Sequence, residues 1–320
     1  MDPFSDVLEL VQARSVISGG FVAGGRWGLR FPPPEEIKFF AVVKGRLVAR
    51  LDGQRAAIEI GEGDVGLLAG RRGYVVASSL DAPMRDAMRV FGARPRPITI
   101  GTGADCAVIA GGVALDPAAA ALLTDALPPV VHVRAASPHA SGLRWIVEQI
   151  AAERTSVLPG SQLATAQLAQ LLFVQVLRAH LSTEGALPIG WLRALRDERL
   201  AAALQLMHGD PARAWRLTEL AKAAAMSRTT FAVHFKAVVG SAPLAYLAAW
   251  RMRLAQRRLR DADAPIASIA ASLGYASESA FSQAFKRITG TRPRDYRNDR
   301  DSISDARSLS VRRAHPISDA

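Results

Sequence analysis

Phe231-Ala-Val-His-Phe235-Lys236-Ala-Val-Val-Gly240-Ser-Ala-Pro243-Leu-Ala-Tyr246 is echoed further along the chain by Phe281-Ser-Gln-Ala-Phe285-Lys286-Arg-Ile-Thr-Gly290-Thr-Arg-Pro293-Arg-Asp-Tyr296. Six identities recur at a constant offset of 50 residues. Chance rarely preserves such a frame, so the segment is a duplicated module. Two copies are too few for a solenoid. Each copy follows an Ala-rich helical pattern and a break. In the first, Leu217, Leu220, Ala221 and Ala224 have helical spacing, Thr218 suits the cap, and Ala225-Met226-Ser227 end the pattern. In the second, Ile266, Ile269, Ala270 and Leu273 run into Gly274-Tyr275. Ser227 and Ser277 suit N-caps of the next helices, and Gly240 and Gly290 suit the left-handed residue after them. Pro243 and Pro293 suit a following helix start. Helix, tight turn and helix make a helix-turn-helix unit. The Phe pair at i and i+4 holds the second helix to the first and leaves its other face open.

These residues carry a resemblance. The segment from about Trp191 to Arg297 resembles the DNA-binding domain of AraC/XylS-type transcription regulators. Such domains have two helix-turn-helix units joined by a long helix, here about Leu244 to Leu259. The run Gly-Tyr-Ala-Ser-Glu-Ser-Ala-Phe-Ser-Gln-Ala-Phe-Lys at 274–286 is the family's most specific signature and is nearly intact. Ala225 departs from the pattern, since the family usually has Gly in the first turn. A turn residue with positive φ costs Ala about 1 kcal/mol more than Gly.

The resemblance implies recognition helices at about 227–236 and 277–286. The first would expose Arg228, Thr229, Ala232, Val233 and Lys236; the second Glu278, Ser279, Ser282, Gln283 and Lys286. By the family's pattern Thr229, Ala232, Val233, Ser279, Ser282 and Gln283 face base edges. Thymine methyls and shape suit the first helix, and paired bonds to adenine suit Gln283. Arg251, Arg257, Arg258, Lys286, Arg287, Arg292 and Arg294 are candidate phosphate contacts.

Charge agrees. Residues 191–300 hold 19 Lys and Arg against nine Asp and Glu, while 1–190 hold 18 against 17, so nearly all of the net +11 lies in the repeat domain. A basic domain neutralises phosphates and releases counterions.

At 320 residues the chain suits two domains and a linker. The longest apolar stretches contain Gln, which argues against a membrane span. Met1-Asp-Pro-Phe-Ser-Asp lacks the basic-then-apolar order of a secretory signal, and a single cysteine, Cys106, excludes an internal disulfide. Both lead to the expectation of a cytoplasmic protein. Some regulators with similar sensor halves respond to oxidants through cysteine. Cys106, in an apolar strand pattern beside Asp105 and without a resolving partner, is expected to be packing only.

The N-terminal half reads as strands: Ile37 to Gly45, Arg46–Leu51, Ala57–Ile60, Val65–Ala69, Tyr74–Ala77, Met88–Val90 and Asp105–Ile109, with Asp52-Gly53 as a hairpin turn. Short strands with Gly turns predict an antiparallel barrel or jelly roll. Gly61-Glu-Gly-Asp64-Val-Gly-Leu-Leu-Ala-Gly70 is similar to the second box of cupins. Leu127-Pro-Pro-Val-Val-His-Val-Arg134 also fits the cupin-like sensor half found in a subset of AraC-type regulators. The fold expected is therefore α+β: a cupin-like antiparallel barrel (1–135), a helical linker and dimerisation region (136–190), an all-α double helix-turn-helix domain (191–297) and a disordered tail (298–320).

Cupin enzymes hold a metal through His and carboxylates. None of the six His (132, 139, 180, 208, 234 and 315) falls in 37–110, and Tyr74 stands after Gly73 where a His is common. No metal or cofactor and no enzyme activity are therefore expected. His132 and His139 read as polar surface or hinge residues past the barrel. The barrel offers Phe39, Val43, Leu47, Ala49, Leu51, Leu67 and Tyr74 as possible lining, with the inward side undecided. Leu143 to Ile150 and Ser161 to Leu181 read as amphipathic helices, the longer one packing on the barrel or pairing with a second copy. The expected function is sequence-specific transcription regulation on double-stranded DNA, with a small-molecule effector. The resemblance adds RNA polymerase and a homodimer as partners. A constitutive DNA-binding protein with a purely dimerising barrel is the alternative, and a cupin enzyme fused to a DNA-binding domain a weaker one.

Overall fold

A computed structural model describes residues 2–92, 98–183, 187–261 and 264–298. The chain forms two compact units. One is Val11–Pro188, and the other joins Met1–Leu10 to the segment from Ile189 onward. The opening helix α1 (Pro3–Leu10) thus belongs with the C-terminal unit, where sequence placed it in the sensor half. Its apolar side chains Phe4, Val7 and Leu10 are buried there. The helices after 136 group with the sheets, not as a separate linker.

The first unit holds β1 (Arg14–Gly24), β2 (Gly28–Phe31), β3 (Ile37–Lys44), β4 (Arg46–Leu51), β5 (Ile58–Gly61), β6 (Val65–Leu68), β7 (Tyr74–Ala77), β8 (Met84–Asp86), α2 (Ala87–Phe91), β9 (Ile98–Gly101), β10 (Cys106–Ala114), α3 (Ala120–Thr124), β11 (Val130–Val133), α4 (Ala140–Thr155) and α5 (Ser161–Ser182). The strands form two sheets, β11-β6-β3-β10-β1-β9 and β5-β4-β7-β2-β8. The result is a cupin-like sandwich, not a closed barrel. Pairing is antiparallel except β1 with β9 and β2 with β8. Phe21, Val42 and Val108 from the first sheet meet Leu29, Leu47 and Ile60 from the second in one core.

The helix α5 lies against β1, β6 and β11. Its face of Ala169, Leu172, Phe173, Val176 and Leu177 is buried, while Leu163 and Leu171 stay exposed. Gln170 accepts the Ser15 amide at 3.0 Å, and Arg154 of α4 donates to Gly19 O at 2.6 Å, so both helices are tied to β1.

Two sequence expectations fail here. Met88–Val90 is part of a helix, because Asp86 accepts the Met88 and Arg89 amides and Gly92 (φ 53°) closes the turn. His132 lies within the sheet on β11, not past it.

The second unit adds α6 (Trp191–Leu195), α7 (Glu198–Gly209), α8 (Leu217–Ala223), α9 (Arg228–Val239), α10 (Pro243–Asp261), α11 (Ile266–Ser272) and α12 (Glu278–Thr289). A final helical turn starts at Pro293. Of the tail expected at 298–320, Asn298 belongs to this helical turn, and residues 299–320 lie outside the described residues.

Candidate nucleic-acid interface and sensor cavity

The sequence repeat is a repeat in space. Phe231 and Phe235 of α9 are fully buried, as are Phe281 and Phe285 of α12. Their rings lie 5.6 Å and 5.7 Å apart within each pair. Tyr246 then meets Phe235 edge-on at 5.8 Å, and Tyr296 meets Phe285 edge-on at 5.6 Å. Ser227 Oγ accepts the Thr230 amide and Ser277 Oγ the Ala280 amide, both at 3.1 Å. Gly240 (φ 89°) and Gly290 (φ 84°) end the helices in left-handed conformation. The helix α10 serves both halves. It gives Leu247 to the first core and Met252, Ala255 and Leu259 to the second.

The turns before these helices differ. The left-handed residue is Ala225 (φ 51°) in the first and Gly274 (φ 79°) in the second. Two residues, Met226 and Ser227, complete the first turn, against three in the second. The α8 cap is also corrected. It is Arg216, whose amide donates to Glu219 at 2.8 Å, and Thr218 lies inside the helix.

On α9, Arg228, Thr229, Val233 and Lys236 are exposed and Ala232 is half-buried. On α12, Ser279, Gln283 and Lys286 are exposed, with Glu278 and Ser282 half-buried. Thr229, Val233 and Lys236, and likewise Ser279, Gln283 and Lys286, lie on the side of their helix away from the Phe pair, whereas Arg228 and Glu278 stand one turn before its first Phe. Val233 is 66% exposed, an apolar side chain left in water at the centre of the first set.

The basic candidates divide. Arg287, Arg292 and Arg294 are exposed, with Arg294 3.9 Å from Glu278. Arg251 instead donates to Pro211 O and Arg213 O and sits over the Tyr275 ring. Arg257 donates to Glu9 O, and Arg258 to Ser272. These three brace the unit from within.

Sequence gave no signal for a hub at His208. Its ring stacks on Trp250 at 4.0 Å, Nε2 lies 2.8 Å from the Tyr246 hydroxyl, and Nδ1 lies 3.4 Å from Asp6 Oδ2 on α1. Burial lowers its pKa, opposed in part by Asp6.

In the sheet unit, Asp64 joins the two segments that carried the cupin resemblance. It accepts from the Gly61 amide at 2.9 Å, the Ala135 amide at 2.7 Å and His132 Nε2 at 2.8 Å. Burial raises its pKa, and these hydrogen bonds outweigh that, so the carboxyl sits below its usual range. Among the described residues no group of three His, Cys, Asp or Glu comes together as a metal site. Cys106 is buried, and burial with the Asp105 charge pushes its pKa up to about 11.

Between the sheets lies a cavity of about 500 Å³. Phe39, Leu47, Ala49, Leu51 and Tyr74 border it as the sequence suggested. Val43 and Leu67 do not. Val43 is the bulged residue where the β3–β10 register shifts, and Leu67 is on the face opposite Gly66 and Leu68. Phe21, Phe31, Phe40 and Phe91 add aromatic walls that sequence did not single out.

Known proteins agree with both halves. A cupin family model matches residues 2–182, and a helix-turn-helix domain model matches 220–299. An AraC-like transcription regulator from Streptomyces antibioticus is 45% identical over 298 residues, covering 93% of this chain and 98% of the relative. The RCS-specific transcriptional activator RclR of Escherichia coli is 30% identical over 305 residues, covering 93% and 97%. The DNA-binding domain of AdpA, solved with a target DNA, is 31% identical and covers 32% of this chain and 90% of that one, with a TM-score of 0.30. The chain belongs to the AraC-like transcription regulators, with a cupin half and a double helix-turn-helix half.

Proposed function

We propose that α9 and α12 are recognition helices that enter the major groove about one turn of DNA, or ~34 Å, apart. The observation that carries this is the pair of Ser-capped, Gly-terminated helices with buried Phe faces and polar or small residues opposite. Thr229, Ala232 and Val233 present mostly methyl groups, suited to thymine methyls. Ser279, Ser282 and Gln283 present hydrogen-bonding groups, with Gln283 suited to adenine. Arg228, Lys236, Glu278 and Lys286 flank these faces. Arg287, Arg292 and Arg294, with Lys286, hold phosphates. Arg251, Arg257 and Arg258 act through the fold, since their donors are engaged inside the unit. Binding-site selection with the Gln283→Ala variant tests the assignment. One position of the site should lose its preference, and an unchanged site would remove it.

The cupin half, in this reading, binds an organic effector in the cavity between its sheets without metal or catalysis. A cavity of this size and apolar character supports it. The effector must bind one DNA-binding state better than another, or it regulates nothing. Exposed Trp145, Leu163 and Leu171 on α4 and α5 favour a homodimer through these helices, which also serves the purely dimerising alternative. Contact with RNA polymerase follows from the family role. Effector-dependent operator affinity separates sensing from dimerisation alone.

A further inference from the structure

Polar residues are few in the lining of the cavity between the sheets: Ser18, Lys38, Arg50 and Tyr74. Register sets Arg50 beside Val75, with Arg30 on the other flank, on the outer face of its sheet. Alternation along β3 puts Lys38 on the inward side with Phe40 and Val42. Lys38 is therefore the one ammonium that this wall presents among the described residues. It is already neutralised: Lys38 Nζ donates to Glu36 Oε1 at 2.6 Å. Gly112, paired with Lys38 across the sheet, makes the room. A Cβ there would lie 2.1 Å from Glu36 Oε1. Tyr74 stacks on Phe31 at 4.8 Å, and among the described residues its hydroxyl has no hydrogen-bond partner.

Resting on the reading of this cavity as an effector site, we infer that the effector is uncharged: an apolar, ring-containing small molecule with a hydroxyl or carbonyl group. An anion would have to displace Glu36 from Lys38 or lie against the carboxylate. A cation would meet an acid whose charge is already matched. Either ion would lose its hydration for no free partner. A neutral hydroxyl or carbonyl can instead pair with Tyr74, which both donates and accepts. Phe21, Phe31 and Phe40 offer ring faces and edges to an aromatic guest.

The test is calorimetric titration of the full chain with three isosteric probes: 2-naphthylmethanol, 2-naphthoate and 2-naphthylmethylammonium. The alcohol should bind about ten-fold or more tighter than either ion. Glu36→Gln frees the ammonium and should tighten naphthoate about ten-fold while leaving the alcohol unchanged. Lys38→Met leaves the carboxylate alone and should favour the ammonium probe instead, so one variant serves if the other fails to fold. Naphthoate or the ammonium binding wild type as well as the alcohol would overturn the inference and leave the effector site standing. No binding by any probe, or binding unaffected by a cavity-filling Ala110→Phe, would overturn the effector site and the inference with it.

Discussion

Ala225 is held at φ 51° and Gly274 at φ 79° at matching points of the two turns. Ala225→Gly relieves a left-handed alanine and should stabilise the protein by about 1 kcal/mol. At Gly274 an added Cβ would lie 1.9 Å from Ala212 O, so Gly274→Ala should cost roughly 1–3 kcal/mol. Urea midpoints for the two variants should move in opposite directions. His208 gives a pH signature. Its folded pKa is lowered by burial, so the unfolded chain takes up the proton first as pH falls. Its contribution to stability should be complete above about pH 6.5 and be lost as pH drops through the lowered value. A His208→Gln variant should lack that part of the acid-side decline in urea unfolding; an identical pH profile would remove His208 as its source. Cys106→Ser should leave oxidant response and DNA binding unchanged, because the buried thiol is held protonated at pH 7.

Among the elements, those built from local chemistry were legible. Ser caps, glycine ends and Phe pairs four apart specify α9 and α12 from within a dozen residues, and α10 follows from what lies between them. The sheets were legible only in part. Strands β3, β4 and β7 alternate or are β-rich, whereas β1 carries Gly19 and Gly20 and finds its partners β10 and β9 between 77 and 100 positions away. No local pattern encodes that pairing. The helix α2 was missed although Asp86 and Gly92 bracket it, since Met88-Arg-Val90 alternates like a strand. The same limit separates the arginines, whose spacing on α10 gives charge but not partners. Arg251→Gln should destabilise by about 1–3 kcal/mol, because it removes donors to Pro211 and Arg213 carbonyls. Arg292→Gln should leave stability unchanged and lower the slope of binding against salt by about one unit. Equal salt slopes for the Arg292 variant and wild type would exclude it from the phosphate contacts.

For the whole molecule, two fused units have separate chemistry. Val11–Pro188 holds 18 Lys and Arg against 14 Asp and Glu, with an apolar cavity between its sheets; the other unit holds 22 against 15 and two copies of one helix-turn-helix plan. The cavity walls were half visible in sequence, because strand alternation names two faces without saying which turns inward. The exposed positions of α9 and α12 that we propose read DNA were visible in sequence beside the Phe pairs, while the bases they would contact depend on the complex. Reading of DNA by two helices is the central claim, and selection of bound sites from random duplexes by the full chain tests it most directly. The account predicts two blocks of base preference with centres about 10 base pairs apart. Val233→Ala should weaken one block and Gln283→Ala the other. A single block, or one block altered by both substitutions, would contradict it.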